Sequence, residues 1–167
     1  AAEWWPARLG ELGRSSPSRH ATTLLDAETR RLAGLTGGGP VIVAGSTGSV
    51  PAAARLIATV AKMPNGTVVL PGLDTVMPED HWQEIGASTF SAPVSDAARR
   101  SHPQYGLYKL LEKLGVTRDD VLPLATAPEP LEARATILSR ALGPSQATDG
   151  WIAWRKSLPD AVLEAAF

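Results

Sequence analysis

The sequence predicts an α/β protein built on a parallel sheet with flanking helices, and three observations carry that reading. Val41–Ala44 is a short β-branched run that stops at a glycine, as a buried parallel strand does. Residues 67–70 repeat the pattern and are closed by Pro71 and Gly72. Between them, Leu56, Ile57 and Val60 recur at helical spacing. Strand, tight polar loop, helix, turn and strand make one βαβ unit, which places its loops at the carboxyl ends of the strands, the usual position of a ligand crevice.

The remaining elements follow in chain order. Residues 1–35 read as two helices around a Gly/Ser break at 13–18, with Leu24, Leu25, Leu32 and Leu35 as the apolar side of the second. Gly37, Gly38, Gly39 and Pro40 lead into the first strand. Pro51 suits the first turn of the next helix, where its missing N–H is no loss. Pro64, Asn65 and Gly66 end that helix and turn the chain. Pro78, Glu79 and Asp80 start a short helix carrying Trp82 and Ile85, and residues 86–101 have no period and read as a long loop. A helix over 103–114 has Leu107, Leu110, Leu111 and Leu114 as its core stripe, and Gly115 closes it. Leu122, Pro123 and Leu124 read as a short edge strand. Residues 130–142 form another amphipathic helix, and Thr148 and Asp149 cap a last one with Trp151 and Trp154. The whole reads as one α/β domain or domain piece: a helical lead-in over 1–36, the βαβ core with its loop and helix over 40–127, and C-terminal helices over 128–167.

Composition narrows the function classes. The 167 residues are 44% hydrophobic and 20% charged, ordinary for a globular protein with one sizeable core. No apolar run reaches the roughly 20 residues that span a bilayer, and the N-terminus carries no secretory pattern. With no cysteine, these residues hold no disulfide, thiolate zinc site or cysteine-bound iron–sulfur cluster. His20, His81 and His102 are not spaced as metal ligands. A net charge of -1 argues against a self-sufficient nucleic-acid binder, with Arg14, Arg19, Arg30–Arg31 and Arg99–Arg100 as the candidates for a local patch. The chain begins without methionine in what reads as mid-helix and ends on an apolar tail, as a piece of something longer would.

The candidate ligand loop is Gly45, Ser46, Thr47, Gly48 and Ser49. Glycines let a backbone approach a phosphate, hydroxyls add donors, and the helix that follows offers its positive end. The plainer alternative is that Ser46 and Thr47 cap that helix. Asp74 is either a magnesium ligand or a turn residue. Asp74, Glu79, Asp80 and Glu84 are either paired acid/base carboxylates or acids at a helix N-terminus. His102 is either a proton shuttle or a residue that docks its loop and caps the next helix. Trp151 and Trp154 share a helix face, for stacking on single-stranded bases or for anchoring to other protein.

Three blocks in order, VIVAGSTGSVPAAARLIATVAKMPNGTVVLPGLD, HPQYGLYKLLEKLGV and ARATILSRALGPSQATDGW, resemble the AddB subunit of the AddAB double-strand-break repair helicase–nuclease in its alphaproteobacterial form. The resemblance implies an internal piece of the helicase-like N-terminal half, with a superfamily I helicase-like, degenerate P-loop fold. It implies the AddA subunit and DNA, as duplex ends and single strands, as partners, and a cytoplasmic, nucleoid-associated setting. ATP with magnesium and an iron–sulfur cluster are then expected only elsewhere in the parent complex, and no cofactor in these residues. The chain has no GxxxxGK[ST], and the strand end reads Gly45-Ser46-Thr47 without a carboxylate. The resemblance thus implies a non-hydrolysing scaffold that guides DNA. Two alternatives are an independent nucleotide- or phosphate-binding domain using the 45–49 loop, and a pure interaction scaffold exposing Trp4, Trp5, Trp151, Trp154 and Phe167.

Overall fold

A computed structural model describes residues 4–86, 99–144 and 150–158, together with 162 and 164. Seven helices and one two-stranded parallel sheet are named in it: α1 (Trp4–Glu11), α2 (Pro17–Ala33), β1 (Val41–Ala44), α3 (Pro51–Ala61), β2 (Gly66–Val69), α4 (Glu79–Gly86), α5 (Tyr105–Leu114), α6 (Glu129–Ala141) and α7 (Trp151–Ser157). The chain is α/β, and it divides into two compact units, Ala1–Pro71 and Gly72–Phe167.

The first unit holds the βαβ motif. β1 and β2 pair in parallel, Val41 opposite Gly66 through Ala44 opposite Val69. α3 packs on both strands and α2 packs on α3, closing a core of Leu32, Ala52, Ala54, Ile57 and Val60. Alanines at 52 and 54 let the helix approach closely. Gly66 is required for the same reason, since a Cβ there would run into the Val60 carbonyl. Asn65 locks the turn by donating from Nδ2 to the Gly39 carbonyl at 2.5 Å. α2 starts at Ser16, whose Oγ accepts from the Arg19 amide at 3.2 Å. Of its four expected core leucines only Leu32 is buried, whereas Leu24 and Leu35 are exposed. Leu25, Thr29 and Leu32 share the inward face at spacings of four and three, and Leu24 lies about 100° around the helix from Leu25.

The second unit packs α4 against α5 around Met77, Trp82, Ile85, Leu107, Leu110 and Leu111. Gly86 lets the Tyr108 ring sit directly on the end of α4, where a Cβ would overlap it. Trp82 and Tyr108 meet with ring centroids 5.2 Å apart. α5 ends as expected at Gly115, with φ +71 in the left-handed region. The expected edge strand at 122–124 is absent. Leu122 and Leu124 are 84% and 82% exposed, no strand lies beside them among the described residues, and Pro123 has no N–H to give one. Of the 86–101 loop, 87–98 lie outside the described residues and Arg99 and Arg100 are helical. The proposed cap at Thr148 and Asp149 also lies outside them.

Candidate functional site

The 45–49 loop joins β1 to α3 at the carboxyl end of the sheet. The Gly45 amide donates to the Val69 carbonyl at 3.2 Å, which extends the ladder one step past the strand. Gly45 and Gly48 both have positive φ, +76 and +64, so the loop enters the left-handed region twice within four residues, a conformation that a side chain would strain. Ser46, Thr47 and Gly48 are half-buried and Ser49 is exposed.

The capping role expected of Ser46 and Thr47 is not observed. The N-cap of α3 is Val50, which has no side-chain acceptor, and Pro51 occupies the first turn. The Ser46 Oγ instead accepts from the Gly48 amide at 3.3 Å, within the loop itself. The physical reason is distance along the chain: Gly48, Ser49 and Val50 intervene between the hydroxyls and the helix, so Ser46 closes the loop and the helix end is left without a side-chain cap. An uncapped helix N-terminus beside a glycine-bent loop can accept an anion. Neither a lysine nor an arginine stands within the loop to neutralise one.

The second unit accounts for the other candidates. The Asp74 Oδ1 accepts from the amides of Val76 at 3.1 Å and Met77 at 2.8 Å, the Asx turn of the plainer reading. Glu79 and Asp80 fall in the first turn of α4 and suit its dipole. No group of three or more metal-binding side chains occurs among the described residues. His102 is a docking residue. Its Nε2 lies 2.7 Å from the Leu142 carbonyl and its Nδ1 accepts from the Gln104 amide at 3.1 Å. A carbonyl only accepts and an amide only donates, which assigns the ring as the neutral Nε2–H tautomer. Gln104, the N-cap residue of α5, in turn accepts from the Asp74 amide and donates to the Gly72 carbonyl. Both ring nitrogens are engaged with the backbone, which is the docking arrangement.

The side chain that sequence reasoning passed over is Arg118. Nη1 donates to the carbonyls of Asp74 and Met77 at 3.1 and 2.9 Å, Nη2 pairs with Glu79, and the guanidinium lies 4.8 Å from the Trp82 ring centroid. Its side chain is only 10% exposed. The Glu79 carboxyl is held below its ordinary range, first by the hydrogen bond from Gln83 and then by Arg118. Around this clamp lies an open groove of about 300 Å³ lined by Glu79, Trp82, Tyr108, Glu112 and Asp119 among others. The only hint in the sequence was a lone arginine between a closed helix and two aspartates, which does not distinguish a clamp from a solvated charge.

Trp151 and Trp154 are half-buried, and each carries a guanidinium over its ring, from Arg155 at 5.8 Å and from Arg140 of α6 at 5.7 Å. No described helix is long and apolar enough to cross a membrane. No family model, no curated protein and no solved structure matches the chain.

Proposed function

We propose that this chain is a helicase-like scaffold of the AddB type that guides DNA within an ATP-dependent helicase–nuclease complex and does not itself hydrolyse ATP. One observation carries the reading. A parallel βαβ unit presents a glycine-bent Ser/Thr loop at the carboxyl end of its sheet, where a motor holds its nucleotide, yet that loop has no phosphate-holding lysine and its strand ends without a carboxylate. The resemblance of the three sequence blocks supports the DNA-repair setting, with AddA as the partner subunit. Titration with a fluorescent ATP analogue, with and without magnesium, tests it. The expected result is no saturable binding at high micromolar protein. Micromolar binding lost in a Ser46→Ala/Thr47→Ala variant would establish the nucleotide-binding alternative instead.

A second reading, an interaction scaffold, is favoured by a specific feature. Parallel sheets are ordinarily covered on both faces, but Ile42 on β1 is 62% exposed on the side away from α3. Concentration-dependent self-association that an Ile42→Thr change reduces would support it.

A further inference from the structure

We infer that α1 and the turn after it form a stacking platform for single-stranded nucleic acid, an assignment that rests on the DNA-guiding reading above. Stacking needs aromatic faces open to solvent and cations free to meet phosphates. The tryptophans near the C-terminus offer less of the first, because both are half-buried and each already carries a guanidinium over one face. Trp4 and Trp5 have it: they are 65% and 55% exposed, their ring centroids lie 5.9 Å apart, and α1 has no buried residue.

Charge supplies the second requirement. The unit Ala1–Pro71 has seven Lys and Arg against four Asp and Glu, a net charge of +3, whereas the rest of the chain has nine against thirteen, a net of -4. Three of those four carboxylates, Glu11, Asp26 and Glu28, are consumed by Arg8, Arg55 and Arg31. Among the described residues, Arg14 and Arg19 have no carboxylate partner. Arg14 lies in the turn after the tryptophan helix and Arg19 at the start of the next helix. The Arg14 amide caps the end of α1 through the Leu9 carbonyl at 2.8 Å, and Arg19 sits in the first turn of α2. At about 1.5 Å per residue, α1 is roughly 12 Å long, so the rings at one end and Arg14 just past the other fall within the span of a few nucleotides, with Arg19 five residues further along the chain. Duplex DNA hides its base faces, which selects an unpaired strand as the occupant.

The experiment is fluorescence titration of the full chain with a 20-residue oligothymidylate across a range of salt. The Trp4→Ala/Trp5→Ala variant is expected to bind at least about tenfold more weakly with an unchanged salt slope, stacking being salt-independent. The Arg14→Ala/Arg19→Ala variant is expected to lower the slope of log K against log salt by about 1.4, the loss of two phosphate contacts. Because α1 buries nothing, both variants should unfold at the wild-type urea midpoint, which separates lost contact from lost fold. Binding that the tryptophan variant leaves unchanged would overturn the platform and leave the DNA-guiding reading standing. No binding at about 100 μM protein would overturn both. Self-association that the tryptophan change abolishes, without any DNA affinity, would replace the platform with a protein contact.

Discussion

At the scale of single residues, Arg118 is the test of how the second unit is held. Its removal strands two backbone carbonyls, frees Glu79 and bares the Trp82 face, so Arg118→Ala is expected to cost about 2–3 kcal/mol in urea unfolding. Arg118→Lys should recover less than half, because an ammonium cannot bond both carbonyls and the carboxylate while lying flat on an indole. Glu79 adds a dependence on pH of defined sign. Its folded value is lowered from 4.5, so the stability it contributes is present above that ordinary value and is lost as pH falls through the lowered one. The difference in unfolding midpoint between the wild type and Glu79→Gln should therefore shrink on acidification from pH 6 to pH 3. Its side chain is 63% exposed, so solvent screening keeps the effect modest. Equal gaps at both ends of that range would remove Glu79 from the clamp.

At the scale of elements, close approach is bought with glycine. Gly86→Ala should cost about 1–3 kcal/mol, because a methyl group there meets the Tyr108 ring, and the cost should fall sharply in a Tyr108→Ala background. Additive effects would mean that the two do not touch. Residues 122–124 give the opposite expectation. With both leucines exposed, Leu122→Asn and Leu124→Asn should each change stability by less than about 0.5 kcal/mol, as surface positions do. A large loss in either would show that the segment pairs as a strand after all. The strand expectation failed for an identifiable reason. Alternating leucines are a local property, whereas a strand also needs a neighbour that accepts its hydrogen bonds.

At the scale of the whole molecule, uneven charge matters more than its sum. A net of -1 spread evenly is unremarkable, but the chain separates it into a basic unit containing the βαβ motif and an acidic one built from α4 to α7. Attraction of an anionic strand should therefore reside in the first unit and weaken steeply with salt. β1, α3 and β2 were legible because each is short, strongly patterned and punctuated by glycine or proline, and they form within two residues of the expected limits. The 45–49 loop was equally legible as a loop. Its internal bond from the Gly48 amide to Ser46 was not, since the same serine one bend later would have capped α3.

The sequence by itself determined the parallel βαβ order, the helix ends at Gly115 and Pro51, and the absence of a lysine or carboxylate from the loop, because these depend on residue type and near-neighbour spacing alone. Only the tertiary structure decided which leucines of α2 reach the core, that Arg140 lies over Trp154, and that Arg118 joins His102 in holding the second unit together. Those outcomes rest on contacts such as Arg118 with Asp74 and Arg140 with Trp154, made by residues distant in sequence. A guanidinium near an indole is worth the same in any order along the chain, so local pattern carries no trace of the pairing.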